Sequence, residues 1–202
     1  MRRAVSIDEL FKRKFKVMDF TGKWKDAVGK PEAGGAWLVW GNSSQGKTRF
    51  SIQLAKYLSN FGRVAYNPLE EGISESFKKA IIDENITSKN RIIFLDKEPI
   101  DELEKRLKKQ KSPNFIIIDS LQYTGMTYND YKKIRDEFPH KVFIFISHAD
   151  GREPAGRVAK SVRYDVSVKI RVEGYKAFPQ SRYGGGEPYV IWEEGANKYW
   201  VE

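Results

Sequence analysis

The sequence contains no cysteine and only two histidines among its 202 residues. Disulfide bonds, cysteine zinc sites and thiol catalysis are therefore excluded, and so is a histidine-rich metal site. The chain also lacks an apolar run of the roughly 20 residues that span a bilayer. Because its N-terminus has no apolar signal core either, we expect a cytoplasmic protein without a membrane segment.

Negative charge is in short supply. Lys and Arg number 36 against 27 Asp and Glu, which leaves a formal net charge of +9 and a pI of about 9.5. Such a balance favours an anionic partner, and nucleic acid is the first candidate. The alternative is a soluble protein whose surface is merely rich in lysine. Hydrophobic residues make up 40% of the chain, which is ordinary for a globular domain.

Residues 1–33 differ from the rest, because many basic residues are combined there with scattered aromatic ones. Ser6 and Glu9 form the pattern of a capping box that opens a short helix. The glycine-rich stretch 29–35 then predicts a turn. We therefore expect a basic N-terminal arm over 1–33 and a core over 34–202.

The core alternates apolar runs with amphipathic segments. The apolar runs predict buried strands at 36–40, 63–67, 91–95, 115–118 and 142–146. Helices are predicted between them at 47–60, 74–84, 98–109 and 128–138. This alternation indicates an α/β fold with a mostly parallel sheet covered by helices. Strand-like segments without intervening helices then predict a C-terminal antiparallel extension, at 164–173, 175–182, 189–194 and 198–201.

Residues 41–48 match the phosphate-binding pattern G-x-x-x-x-G-K-[ST], between a predicted strand and a predicted helix. Glycines let the backbone wrap closely around phosphate oxygens, and the helix N-terminus adds partial positive charge. Lys47 should reach the β- and γ-phosphates of ATP, and the Thr48 hydroxyl should bind Mg²⁺. A chance glycine loop is the alternative. The predicted nucleotide-binding residues are Gly41, Asn42, Ser43, Ser44, Gln45, Gly46, Lys47, Thr48 and Arg49.

Polar residues follow three other predicted strands. Asp119 ends an apolar strand and is expected to hold Mg²⁺ with Thr48, although many buried strands end in aspartate. Glu70 or Glu71, with Glu70 preferred, could polarise the attacking water. The alternative is that both acids simply open the next helix. His148 could contact the γ-phosphate and report its presence to the following loop, or it could only cap that loop.

Two groups of cations lie further along the chain. The segment 149–164 predicts a flexible loop whose charge suits contact with nucleic-acid phosphates, unless its cations are only solvated. Lys169 and Arg171 share one face of a predicted strand, where they would suit the γ-phosphate of a neighbouring subunit. The alternative is an edge strand protected by charge. The predicted DNA-contacting residues are Arg152, Arg157, Lys160 and Arg163.

Together these motifs resemble the RecA/DnaB/KaiC group of P-loop ATPases, and most of all the ATPase core of bacterial RadA, over about residues 34–195. Residues 118–122, Ile-Asp-Ser-Leu-Gln, resemble I-D-S-I-Q of RadA. Residues 182–184 resemble the end of its K-N-R-F-G signature, with Gln-Ser in place of K-N. Lys169-x-Arg171 is similar to the K-x-R of DnaB and KaiC, and Glu70-Glu71 is similar to the paired glutamates of KaiC.

The resemblance implies a RecA-like fold, ATP hydrolysis at the interfaces of a homo-oligomeric ring or filament, and single-stranded DNA binding by loops near 120–127 and 149–163. A stand-alone core of this kind would suit recombination, repair or replication, for example in a phage or mobile element. One alternative is an ATP-driven regulatory or assembly switch, similar to KaiC, that binds protein. A small-molecule kinase is a third reading, against which the late strands and Lys169-x-Arg171 argue.

Overall fold

A computed structural model describes residues 3–201 as a nine-stranded sheet with eight α-helices. The strands are β1 Gly35–Gly41, β2 Val64–Pro68, β3 Ile92–Phe94, β4 Phe115–Asp119, β5 Val142–Asp150, β6 Glu153–Pro154, β7 Val168–Glu173, β8 Lys176–Ser181 and β9 Tyr189–Val190. The helices are α1 Ile7–Lys12, α2 Gly22–Val28, α3 Lys47–Leu58, α4 Glu75–Asp83, α5 Ile100–Leu107, α6 Tyr128–Glu137, α7 Arg157–Asp165 and α8 Glu193–Tyr199.

The strand order is β3-β2-β4-β5-β1-β7-β8-β9, and β6 pairs only with the end of β5. In this spatial order the first six strands, β3, β2, β4, β5, β1 and β7, are parallel. Strand β8 runs antiparallel to both of its neighbours, β7 and β9. The predicted mostly parallel sheet with a C-terminal antiparallel extension is therefore confirmed.

The central strands are apolar throughout because helices cover both faces of the sheet. On β1, Trp37 and Val39 join the layer beneath α2, α3 and α4. Leu38 and Trp40 alternate with them and join the opposite layer, beneath α5, α6 and α7. Both layers are buried, so β1 shows no alternation of polar and apolar residues.

The predicted flexible loop at 149–164 is wrong. Strand β5 continues to Asp150, a tight turn at Gly151 leads into β6, and α7 then occupies Arg157–Asp165. Ala159 and Val162, three positions apart, bury one side of α7 against the core. The strand predicted from residue 164 therefore starts only at Val168.

The predicted strand at 198–201 is also wrong, and the strand at 189–194 is cut to two residues. Helix α8 begins with two glutamates in its first turn and has an ion pair four residues apart between Glu194 and Lys198. Both features stabilise a short helix. The aromatic residues around 193–199 produced the strand-like pattern. In the structure this segment is helical, and Ala196 is buried on one side of α8.

The N-terminal segment has two parts with different burial. Ser6 and Glu9 form the predicted capping box at the start of α1, and residues 3–17 are exposed throughout. Phe20 and Trp24 are instead buried, and Trp24 stacks on Tyr57 and Tyr189. Residues 18–28 thus pack against the core. No helix between residues 3 and 201 combines the length and apolarity that crossing a membrane requires.

Candidate nucleotide site

The carboxyl ends of four parallel strands meet at one edge of the sheet. The loop after β1 leads into α3, Glu70 and Glu71 follow β2, Asp119 ends β4, and His148 lies near the end of β5. In open α/β sheets this edge is where ligands bind. The topology therefore gathers residues that are up to 107 positions apart, from Gly41 to His148.

The loop from Gly41 to Gly46 begins and ends with glycines at positions that disfavour a side chain. A Cβ atom on Gly41 would lie 2.2 Å from the Val172 carbonyl oxygen, and Gly46 has φ of 98° directly before α3. Gln45 fastens the loop to the turn between β7 and β8, since its side-chain oxygen accepts a hydrogen bond of 2.6 Å from the Gly174 amide. This bond holds the loop against the turn between β7 and β8.

A cavity of about 650 Å³ opens beside this loop. That volume lies within the roughly 300–1,000 Å³ of small-molecule sites. Of the nine residues predicted to bind nucleotide, all but Gly41 and Gln45 line the cavity. Gly41 and Gln45 shape the loop instead.

Lys47 lies at the start of α3 with its ammonium folded over the loop. Its Nζ donates a hydrogen bond of 2.8 Å to the Asn42 carbonyl oxygen. Burial lowers the pKa of Lys47, while the negative charges of Asp119 and Glu70 raise it. A partly desolvated cation beside two carboxylates is well placed to exchange its carbonyl partner for phosphate oxygens.

Asp119 is half-buried at the cavity, and its pKa is raised to about 6, chiefly because burial penalises the charged carboxylate. The charges of Glu70 and Glu71 contribute to the rise, whereas a hydrogen bond from Tyr66 and the charge of Lys47 oppose it. The Tyr66 hydroxyl donates to Asp119 Oδ2 at 2.8 Å and also bonds Ser51 Oγ at 2.7 Å. This chain orients the carboxylate toward the cavity.

The donors around Asp119 fit a magnesium ion. Asp119 and Thr48 both line the cavity, so a carboxylate and a hydroxyl oxygen face the same space. Mg²⁺ is commonly held by one or two such oxygens together with water and phosphate oxygens. No cluster of three or more acidic or histidine ligands occurs within residues 3–201. Any such ion would therefore depend on the phosphates for much of its coordination.

Glu70, His148 and Ser120 form a hydrogen-bonded group at the cavity wall. Glu70 Oε2 lies 2.7 Å from His148 Nε2 and accepts a hydrogen bond of 3.2 Å from Ser120 Oγ. Glu71 lines the same cavity, but its carboxylate accepts bonds from Ser74 and Ser76. The two acids therefore have different environments, since Glu70 is joined to the ends of β4 and β5 and Glu71 to the start of α4.

Gln122 links this group to the segment after β5. Its side-chain amide donates to Ser147 Oγ at 2.8 Å and to the Ala155 carbonyl oxygen at 2.9 Å. Its oxygen accepts a hydrogen bond of 3.3 Å from the His148 amide. We noted Gln122 in the sequence only as part of a family motif. A glutamine shortly after a strand-ending aspartate carries no positional information by itself.

Tyr175 is a cavity residue that sequence reasoning missed. It lies in the turn between β7 and β8, and its ring is 3.1 Å from the position of a Cβ atom on Gly46. Trp192 contacts it edge-on, and the guanidinium of Arg49 lies 5.7 Å from the Trp192 ring centroid. Arg49 also forms an ion pair of 2.5 Å with Glu84. These aromatic groups form one wall beside the phosphate-binding loop.

Lys169 and Arg171 lie on β7, half-buried and away from the cavity lining. The alternative of a charged edge strand is wrong, because β7 is paired with β1 on one side and β8 on the other. Arg171 forms an ion pair with Glu173 and lies over the Phe178 ring at 5.0 Å.

The four predicted DNA-contacting cations are in different environments. Arg152, Arg157 and Lys160 are exposed, and Lys160 lies 3.7 Å from Asp150. Arg163 is largely enclosed between an ion pair of 2.5 Å with Glu153 and the Trp40 ring at 5.3 Å. The structure thus brings the first three to the surface of the β5–β6 turn and α7.

Comparison with known structures agrees with this architecture. The chain is similar to a solved domain described as an ATPase domain, with a TM-score of 0.55 and 19% identity over 77% of this chain and 80% of that one. It is also similar to the flagellar accessory protein FlaH from Methanocaldococcus jannaschii, with a TM-score of 0.60 and 17% identity over 88% and 97%. No family model matches the sequence, and no curated protein does.

The comparisons therefore show the fold. The chain has the RecA-like P-loop ATPase fold, as the sequence predicted, with its phosphate-binding loop at the usual edge of the sheet. The identities are too low to show more than the fold. The specific similarity to RadA stays a prediction.

Proposed function

We propose that the protein is a magnesium-dependent ATPase. The observation that carries this proposal is the convergence of Lys47, Thr48, Asp119 and Glu70 on one cavity built by the phosphate-binding loop. The known structures of the same fold include one described as an ATPase domain, which supports the assignment. Magnesium held by Thr48 and Asp119 would neutralise charge on the β- and γ-phosphates during transfer to water.

Lys47 has the central binding role in this proposal. Its ammonium would leave the Asn42 carbonyl and donate to the phosphates, while the amides of the loop surround the remaining oxygens. Lys47→Ala removes that charge, so we expect ATP turnover to be lost. Near-wild-type turnover in this variant would refute the site. Lys133→Ala, which removes an exposed lysine outside the cavity lining, is a matched control.

Glu70 is the proposed residue that polarises the attacking water. Its carboxylate already has one hydrogen-bond partner in Ser120 and another in His148, which fix its direction. His148 would contact the γ-phosphate, and Gln122 would carry a change at His148 to Ala155. Glu71 is the weaker candidate because Ser74 and Ser76 hold its carboxylate at the start of α4 rather than beside the ends of β4 and β5.

We further propose that single-stranded DNA stimulates this ATPase, in recombination, repair or replication in the cytoplasm. The net charge of +9 supports an anionic partner, and exposed Arg152, Arg157 and Lys160 lie just past His148. We would measure ATP hydrolysis with and without oligo(dT) at two salt concentrations. Salt-sensitive stimulation is expected, because phosphate contacts release counterions. Turnover that no nucleic acid changes would contradict this part of the proposal.

The third part of the proposal is a homo-oligomer in which Lys169 and Arg171 complete a neighbour's site. Both lie outside the lining of their own cavity, and both are only partly buried, so part of each side chain stays within reach of another subunit. Cations in this position would stabilise charge on a neighbouring γ-phosphate.

A protein-binding switch is the second candidate function. It is favoured because two of the four predicted DNA-contacting cations already face carboxylates of this chain. Arg163 forms an ion pair with Glu153, and Lys160 lies near Asp150. Neutralised cations attract a phosphate backbone less strongly. If oligo(dT) has no effect on turnover while ATP still promotes assembly, this reading replaces the first. Absence of any oligomer with ATP would count against both.

A further inference from the structure

A second concave surface lies at the opposite edge of the sheet from the nucleotide site. It is a groove of about 350 Å³ at the amino ends of β2, β3 and β4. Arg63, Arg91 and Pro113 precede these three strands, and the segment 106–112 at the end of α5 forms the other wall. None of its residues belongs to the cavity beside the phosphate-binding loop.

Five cations line this groove, and no carboxylate is among the described residues that line it. The cations are Arg63, Arg91, Arg106, Lys109 and Lys111. Arg106 is paired with Glu98, which lies outside the groove lining. The other four form no salt bridge within residues 3–201, so the groove carries uncompensated positive charge.

Two of these cations are held in place without being neutralised. Arg63 donates a hydrogen bond of 2.6 Å to the Lys111 carbonyl oxygen. Arg91 donates to the carbonyl oxygens of Ser59 and Asn60, both at 3.0 Å. Carbonyl groups orient a guanidinium but leave its full charge and its other N–H groups for an anionic partner.

The groove also has an apolar side, and the open edge of β3 continues just beyond its lining at Phe94. Ile92, Ile93 and Pro113 line it, and Ile93 is 43% exposed. Within the described chain β3 pairs only with β2. The Arg91 carbonyl and the Leu95 amide form hydrogen bonds with β2. Because the main-chain groups of successive residues in a strand point to opposite sides, the amide and carbonyl of Phe94 point away from β2. No aromatic side chain lines the groove to stack on nucleic-acid bases.

We propose that this groove binds an acidic, extended segment of a partner protein. The segment adds as a strand beside β3, its carboxylates pair with Arg63, Arg91, Lys109 and Lys111, and an apolar side chain covers Ile93. Strand addition supplies main-chain hydrogen bonds, and the pockets alongside supply specificity. The surface is independent of ATP hydrolysis, so the proposed ATPase function can fail without affecting it.

The test uses the full chain without nucleotide and a labelled octapeptide that alternates threonine with groove-facing residues, three of them glutamate and one valine. The carboxylates and the apolar side chain then share one face of the added strand. The groove variant combines Lys109→Gln with Lys111→Asn, because asparagine tolerates the positive φ of 57° at position 111. The matched control combines Lys23→Gln with Lys133→Gln, which removes two exposed charges elsewhere. We expect affinity to fall about tenfold or more in the groove variant and to stay unchanged in the control.

A second peptide with the same charges carries N-methyl groups on alternate amides. We expect it to bind more weakly, because it cannot complete the hydrogen bonds to β3. Equal binding of both peptides would overturn strand addition. Equal affinity in the groove and control variants would overturn the site. If oligo(dT) binding falls in the groove variant and the peptide does not bind, the groove is a nucleic-acid surface and the proposal is wrong.

Discussion

At the scale of single residues, the two neighbouring acids after β2 are distinguished by their contacts. Glu70 is bonded to His148 and Ser120, which lie at the carboxyl ends of β5 and β4. Glu71 is bonded to serines that open α4. The sequence alone could only prefer one of them, because adjacent residues share every local signal.

Glu70→Gln should therefore reduce ATP turnover by about 10²–10⁴-fold, because the variant cannot accept a proton from the attacking water. Nucleotide affinity should be nearly unchanged, since the phosphate-binding loop is intact. Glu71→Gln is the matched control and should lose less than roughly tenfold. Steady-state turnover and binding of a fluorescent ATP analogue would be compared. The reverse pattern would transfer the role to Glu71.

The burial of Asp119 costs the fold stability. Its pKa of about 6 lies above the ordinary 3.8, chiefly because burial penalises the charged carboxylate. Ionisation therefore costs stability as the pH rises between these values, and the penalty is fully present above about pH 6. Below about pH 4 the carboxyl is neutral in both states and the penalty disappears.

Asp119→Asn should thus make the nucleotide-free protein more stable by about 1–3 kcal/mol at pH 8, although turnover is lost. The gain should vanish near pH 4 in the same urea titrations with EDTA. Asp26→Asn changes an exposed carboxylate and serves as the control. A variant no more stable than the wild type at pH 8 would show that the carboxylate is not destabilised by burial.

At the scale of elements, α2 contributes buried side chains to the core, whereas α1 does not. Trp24 packs between Phe50, Tyr57 and Tyr189, with ring centroids 4.4–5.8 Å apart. Helix α1 has no buried residue. The basic composition of residues 1–33 conceals this difference, because both parts carry lysines.

Trp24→Ala should lower the free energy of unfolding by about 3–5 kcal/mol, as large-to-small changes in a core do. Deletion of residues 1–15 should change it by less than about 0.5 kcal/mol, because residues 3–15 are exposed. Chemical denaturation of both proteins would compare the values. A large loss on deletion would mean that α1 is held by contacts in solution.

At the scale of the whole molecule, the position of Lys169 and Arg171 outside their own cavity requires a second subunit if they act on phosphate. We expect Lys169→Ala to be inactive by itself and to retain nucleotide binding. An equal mixture of this variant with the inactive Glu70→Gln protein should regain about a quarter of wild-type turnover. Random assembly of the two proteins places an intact Glu70 beside an intact Lys169 at about a quarter of the interfaces.

The control for this mixture is Lys47→Ala with Glu70→Gln, which places both defects in the same site. It should recover nothing, because no site then contains both an intact Lys47 and an intact Glu70. If the Lys169 mixture also recovers nothing under conditions where ATP-dependent oligomers form, Lys169 does not act in trans.

Those features of the fold and site that depend on local sequence pattern could be predicted without the structure. The phosphate-binding loop, its flanking strand and helix, and Asp119 at the end of an apolar strand were predicted where the structure has them. A phosphate-binding loop requires glycine at fixed positions, and a strand buried on both faces of the sheet requires apolar residues throughout. Both patterns can therefore be recognised in a single sequence. The mostly parallel sheet follows from the same alternation of strands and helices.

Features that depend on contacts between distant residues could not be predicted in this way. The segment 157–165 forms a helix because Ala159 and Val162 are buried against the core on one side of it. Tyr175 lines the cavity because the β7–β8 turn lies against Gly46. The pairing of Glu70 with His148 and the cationic groove at the opposite edge likewise depend on strand order. Contacts between residues far apart in the chain leave no periodic signal, so only the folded arrangement reveals them.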